Sequence, residues 1–265
     1  MNNLLQYITT SLQGYLPDDE LRDTALWIAE EATGLSRTEI LCKDINNIPN
    51  LEILLSRLRT GEPLQYVFGK TDWGGMTLKL SRATLIPRPE TWELVELVAA
   101  HFATQNCLRV LDVGTGSGCI AIALKRRFPQ WQVEACDISE EALRIAEDNA
   151  RTNSADIRFF QCDILSDDIP ACDLIVSNPP YVMQREAASM DSRVLLYEPH
   201  DALFVPDTDP LLFYRRIASM HRAPHLVLEI NPLCAPDISD MLHSLGYDSV
   251  DLHSDMAGKT RFALT

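Results

Sequence analysis

The sequence is short of positive charge. Its 265 residues carry 23 Lys and Arg against 38 Asp and Glu, a formal net charge of −15. A chain this acidic lacks the basic stripe that binds nucleic-acid phosphates. Lys125-Arg126-Arg127 is its only short basic run, late in a helical pattern where cations complement the helix dipole. Long apolar runs are missing too, and none approaches the roughly 18 residues of a membrane span. The start, MNNLLQYITTSLQ, has no basic region, apolar core or small-residue cleavage site, so no secretory signal is expected. Paired cysteines are also lacking. The seven are odd in number, scattered and never spaced C-x-x-C, which predicts free, mostly buried thiols in a reducing cytosol. His221 and His225 stand four apart, but Pro224 breaks any helix between them, and no metal site is expected.

What is present falls into three parts. Residues 1–62 read as a small N-terminal helical bundle. Leu4, Leu5, Ile8 and Leu12 share one face, Thr24 to Ala32 carries a second apolar pattern, and Leu51, Ile53, Leu54, Leu55 and Leu58 a third. Pro17-Asp18-Asp19-Glu20 resembles a helix start and Gly34 suits a helix stop. Residues 63–84 read as a β-hairpin linker, because LQYVFGKTDWGGMTLKL (64–80) holds two strand-like runs with Gly74-Gly75 between them. Residues 85–265 pass from a Pro-rich loop into strands and helices that alternate: LRVLDV, WQVEACD, IRFFQCD, DLIVS and HLVLEI as strands, then DSVDL and RFALT. That alternation implies an α/β fold, a Rossmann-like, mostly parallel sheet with helices on both faces. Such sheets bind ligands at the carboxyl ends of their strands.

The first of these strands ends in Asp112-Val113-Gly114-Thr115-Gly116-Ser117-Gly118. Glycines at a strand-to-helix turn let the backbone approach a ligand closely. The dinucleotide fingerprint G-x-G-x-x-G needs a small third residue at position 119, where Cys119 stands. Asp112, two residues before the first glycine, repels a pyrophosphate and suits a cationic head without phosphate, such as that of S-adenosylmethionine. Asp137, 19 residues after Gly118, is placed to hold two ribose hydroxyls. Asp163, after the next strand, is placed to accept from an adenine amino group. The expected cofactor set is therefore Asp112, Gly114, Thr115, Gly116, Gly118, Asp137, Asp163 and Asn178.

After Leu174-Ile175-Val176 the chain reads SNPPYV. The prolines stop the sheet and hold Ser177 and Asn178 extended, so a polar amide is displayed on a stiff loop.

With these residues in place the sequence resembles a class I S-adenosylmethionine-dependent methyltransferase. Asn178-Pro179-Pro180-Tyr181 accompanies methylation of planar nitrogens in such families. GEPLQYVFG (61–69), LIPRPETWELVE (85–96), YEPHDALF (197–204) and LEIN (228–231) are similar to the release-factor glutamine N5-methyltransferase family, over nearly the whole chain. The resemblance implies a seven-stranded sheet and a methyl transfer that leaves S-adenosylhomocysteine. The acceptor it implies is the glutamine of the Gly-Gly-Gln loop in class 1 peptide chain release factors. Asn178, Pro179, Pro180 and Tyr181 are then the catalytic set: the Asn178 side-chain oxygen and the Pro179 carbonyl accept from the amide N–H groups, and Tyr181 walls the pocket. The N-terminal bundle is expected to grip the release factor. Arg88 is the charged candidate for contacting cofactor or substrate, with a plain salt bridge as the alternative. Glu198 and Glu229 read as pocket-wall residues or as core acids with local partners. Trp92 stands where the family pattern usually has an acid, at a helix start that tolerates exchange. A monomeric cytoplasmic protein with no membrane or direct nucleic-acid contact is expected. Two other readings stay open: methylation of an adenine or guanine exocyclic amine, and a non-catalytic scaffold that only binds the cofactor.

Overall fold

A computed structural model describes residues 3–43 and 48–265. Contacts divide the chain into two units. The first comprises the residues up to Gly69 together with Asp191–Tyr197. It holds α1 (Asn3–Leu12), α2 (Leu21–Thr33), α3 (Arg37–Cys42), α4 (Leu51–Arg59), α5 (Leu64–Phe68) and, from far along the chain, α9 (Ser192–Tyr197). Ile8, Leu12, Ile28, Ile40 and Leu55 are fully buried at its centre. Gly34 ends α2 in the left-handed conformation, φ 67°, as its position suggested.

The first of the two strand-like runs, 64–68, is helical. Leu64, Val67 and Phe68 stand at i, i+3 and i+4 and pack on the helical core, so a helix buries all three where a strand would split them between faces. The Arg57 guanidinium fixes this turn, donating to both Glu62 carboxylate oxygens (2.7 and 2.8 Å) and to the Tyr66 and Val67 carbonyls. α9 is held by Arg193 on Glu20 (2.9 Å) and by the Tyr197 hydroxyl on Thr60 Oγ1 (2.8 Å).

The second unit, Lys70–Met190 with Glu198–Thr265, opens with the hairpin β1 (Lys70–Trp73) and β2 (Met76–Lys79), turning at Gly74-Gly75 as expected. Then come α6 (Pro89–Phe102), β3 (Arg109–Val113), α7 (Cys119–Arg127), β4 (Gln132–Asp137), α8 (Glu140–Thr152), β5 (Arg158–Gln161) and β6 (Leu174–Ser177). The short strands β7 (Val182–Met183) and β8 (Phe204–Val205) pair with each other. α10 (Leu212–Ser219), β9 (His225–Glu229), α11 (Ala235–Ser244), β10 (Asp251–Ser254) and β11 (Thr260–Leu264) complete it. The seven-stranded sheet has the order β10-β11-β9-β6-β3-β4-β5, with β11 antiparallel to both its neighbours and the rest parallel.

Alternate strand residues feed two cores. Val110, Leu174 and Val227 meet α6 and α7 on one face, while Leu111, Ile175 and Leu228 meet α10 and α11 on the other. All seven cysteines are free and five are buried. Lys125-Arg126-Arg127 forms the last turn of α7, where Lys125 Nζ donates to the Pro129 and Trp131 carbonyls. Among the described residues no helix is long and apolar enough to cross a membrane.

Trp92 has a packing role at the start of α6. Its ring meets Trp73 edge to face, 5.1 Å between centroids, and covers the Gly74 turn. A Cβ at Gly74 would lie 2.0 Å from Trp92 Cζ3, at a backbone φ of 56°. Gly74→Ala should therefore destabilise by about 1–3 kcal/mol. In a cycle with Trp92→Glu the two effects should be non-additive by about 0.5–3 kcal/mol. Additive shifts in denaturant midpoint would contradict the contact.

Candidate active site

The loop after β3 is tied to the end of β4. The N–H groups of Gly114 and Thr115 both donate to the Cys136 carbonyl, at 2.9 and 3.0 Å. The Gly116 N–H donates to Asp137 Oδ2 at 2.8 Å, and the Ser139 N–H to Asp137 Oδ1 at 2.9 Å. The φ angles of Gly114 and Gly116 are 73° and 54°, and a Cβ at either would meet nothing within 4 Å. Gly118 differs: a Cβ there would press on Ala146 and Ile122 at 3.1 Å, so this glycine serves the packing of α7 on α8.

A cavity of about 480 Å³ opens beside this loop, a size suited to a small-molecule cofactor. Gly114, Gly116, Asp137, Asp163, Asn178 and Pro179 line it, and so do Thr115, Pro180 and Arg88. Ile138 and Leu165 line it as well and leave apolar surface exposed, as a flat base needs. Asp163 accepts from the Leu165 N–H and the Ser166 hydroxyl, both at 3.0 Å. The donor set is one of carboxylates, glycine backbone and apolar walls, with no basic cradle for a phosphate except at Arg88, whose guanidinium is bonded elsewhere. That fits S-adenosylmethionine and not a dinucleotide.

Asp112 lies behind the loop and does not line the cavity. It is fully buried. Its Oδ2 accepts from the Thr115 hydroxyl at 2.7 Å and the Ala121 N–H at 3.2 Å, bracing the loop against α7. Oδ1 has no partner. Burial pushes this carboxyl up to about 7, and the negative Asp137 adds to the rise. Burial also raises the Asp137 carboxyl, against the backbone N–H bonds that pull it down.

The Asn-Pro-Pro-Tyr loop follows β6, where the Ser177 hydroxyl donates to the Val113 carbonyl at 2.6 Å. Asn178 Nδ2 donates to Thr91 Oγ1 at 3.2 Å. The Thr91 hydroxyl donates in turn to Glu229 Oε2 at 2.8 Å. The Tyr181 hydroxyl donates to the other oxygen of the same carboxylate at 3.0 Å. Tyr181 thus anchors the loop from behind and is not among the residues lining the cavity. Glu229 is a buried core acid with local partners, its carboxyl pushed up to about 7 chiefly by burial. Arg88 and Glu198 pair with each other at 2.6 Å, and Glu198 Oε2 also accepts from the Ile86 N–H at 3.2 Å. This pair shapes the loop before α6 and leaves Arg88 at the cavity wall.

Thr91 was not singled out from the sequence, although it stands inside the quoted LIPRPETWELVE. A threonine in the first turn of a helix carries no sign of a partner that lies 138 residues away.

Seven strands in this order, with acids and an amide at successive carboxyl ends around a cofactor-sized cavity, define a class I methyltransferase. Residues 94–203 match the methyltransferase small domain, and residues 3–69 match the PrmC N-terminal domain. The release factor glutamine methyltransferase of Bacteroides thetaiotaomicron is 40% identical over 274 residues, covering 98% of each chain. Its counterpart in Flavobacterium psychrophilum is 35% identical over 276 residues, 98% of this chain and 97% of that one. The chain belongs to the release factor glutamine methyltransferase family. Among solved structures, the fold resembles the human methyltransferase 10 domain containing protein, with a TM-score of 0.53 and 19% identity over 72% of this chain and 88% of that one. It also resembles the hMettl16 catalytic domain, with a TM-score of 0.57 and 18% identity over 72% and 74% of the two chains.

The unpartnered Asp112 oxygen gives a pH prediction. The folded chain keeps a proton on Asp112 up to about pH 7, whereas an unfolded Asp releases it near the ordinary carboxyl value of 3.8. Folding therefore takes up a proton between these values, and the stability contributed by Asp112 falls as pH rises through that window. The stability advantage of Asp112→Asn over wild type, measured without cofactor, should grow from pH 4 to 7 and level off above. A pH-independent difference would contradict the assignment.

Proposed function

We propose that this chain transfers a methyl group from S-adenosylmethionine to the side-chain amide nitrogen, N5, of the Gly-Gly-Gln glutamine in class 1 peptide chain release factors. The observation that carries the reading is the Asn178 amide, set on the cavity wall by a double proline at the end of β6.

The cofactor, when bound, supplies an electrophilic methyl group on a sulfonium. Gly114, Thr115 and Gly116 offer it backbone at close range, Asp137 takes the ribose hydroxyls, and Asp163 receives the adenine amino group. Asp112 and Gly118 serve the same site indirectly, by holding the loop in shape. An amide nitrogen is a weak nucleophile, because its lone pair is delocalised into the carbonyl. Asn178 Oδ1 and the Pro179 carbonyl accept hydrogen bonds from the two substrate N–H groups. They hold the nitrogen in one orientation and favour the positive charge that grows on it. Pro180 fixes the direction of the Pro179 carbonyl. Tyr181 secures the loop through Glu229, and Arg88, its charge met by Glu198, offers N–H donors at the cavity wall. No side chain is required as general base.

The helical unit formed by the N-terminal residues grips the release factor away from the methylated glutamine. The protein works as a monomer in the cytoplasm, where its substrate is found, and its net charge of −15 disfavours direct binding to nucleic acid.

The test uses purified protein, labelled S-adenosylmethionine and a class 1 release factor, wild type beside a version with the Gly-Gly-Gln glutamine replaced. Label should enter the wild-type factor alone. Label in both would place the acceptor at another residue, and label in neither, with cofactor binding confirmed, would remove this substrate.

A further inference from the structure

An asparagine amide presents an oxygen and an NH2 of nearly equal size, and only its partners decide which of them faces a cavity. The choice matters at Asn178. Oδ1 can accept from a substrate amide, whereas the NH2 would set donor against donor.

Thr91 has a single hydroxyl proton, and it is donated to Glu229 Oε2 at 2.8 Å. Toward Asn178 the Thr91 oxygen can then only accept, which draws in Nδ2 at 3.2 Å and leaves Oδ1 for the cavity. With Glu229 ionised the sequence of donors runs one way, because it ends on a carboxylate that can only accept. Register supports the arrangement: Leu228 of β9 pairs with Ser177 of β6, so Glu229 and Asn178 leave the sheet side by side. The carboxylate also takes the Tyr181 hydroxyl at 3.0 Å, so one side chain secures both ends of Asn178-Pro179-Pro180-Tyr181. Glu229 is 1% exposed and forms no ion pair among the described residues; the nearby Arg261, whose charge is felt at Glu229, is bonded to Asp255 at 3.1 Å. Burying a carboxylate on hydroxyl donors alone is costly for a merely structural purpose.

We infer that Glu229, acting through Thr91, sets the orientation of the Asn178 amide and is a positioning residue for methyl transfer. The inference rests on the reading that Asn178 accepts from the substrate amide. A glutamine at 229 could donate to Thr91, whose proton could then turn to Asn178, and both amide orientations would become available.

The experiment measures release-factor methylation and cofactor binding for wild type, Thr91→Val, Thr91→Ser and Glu229→Gln, with thermal melts for each. Thr91→Val should lower kcat by about ten-fold or more, with KM for the release factor and Kd for S-adenosylmethionine within about three-fold of wild type. Thr91→Ser, which restores the hydroxyl, should bring kcat back to within about three-fold, and Glu229→Gln should lower kcat in the same sense. An unchanged kcat in Thr91→Val overturns the inference. So does a loss of kcat that serine does not rescue, or one that tracks a fall in cofactor affinity and melting temperature. Absence of methylation by the wild type would overturn the proposed function first, and is distinguished by that alone.

Discussion

Parallel pairing of β6, β3, β4 and β5 is the constraint on which the site depends. Strands that run side by side in one direction release their chains at one edge of the sheet. Residues scattered between 112 and 178 in sequence become neighbours there because their strands pair. Two of the turns are then bonded to each other: the glycine loop donates to the Cys136 carbonyl and to Asp137, so its shape depends on β4 being in register with β3. The apolar faces that drive this pairing lie on α6 and α7 on one side and α10 and α11 on the other, and α6, α7 and α10 also reach the cavity through Thr91, Ile120 and Ile217.

Charge decides what such an edge can bind. Asp137 and Asp163 line the cavity, and burial holds the Asp137 carboxyl above its ordinary range. A phosphate would add negative charge to a site already short of solvent, whereas a sulfonium and an ammonium relieve it. On the substrate side the demand is different. A neutral amide needs fixed acceptors, and in the proposed reading these are the Asn178 oxygen and the Pro179 carbonyl, whose direction is set by proline. In that reading preorganised neutral dipoles stabilise the charge that grows on nitrogen.

Much of this was legible in the sequence. Alternating strand and helix patterns gave the sheet, and the glycine loop, Asp137, Asp163 and the double proline stood out by type and position. The failures have physical causes. Residues 64–68 read as a strand because five residues are too few to separate period two from i, i+3, i+4 spacing. The joining of Asp191–Tyr197 to the N-terminal unit depends on Arg193 meeting Glu20, a pairing across 173 residues that no local pattern announces. Asp112 and Tyr181 were rightly noticed as unusual, but their side chains turn away from the cavity, toward Thr115 and Glu229. Thr91 went unseen for the same reason: a short polar side chain at a helix start looks ordinary until the acid above it is in place.

The central claim is that Asn178 acts on the substrate amide and not on the cofactor. Asn178→Ala tests it when methylation of a release factor and binding of S-adenosylmethionine are measured on the same preparation. kcat should fall by about 100-fold or more while cofactor affinity stays within about three-fold. A collapse of cofactor binding, or a kcat close to wild type, would contradict it.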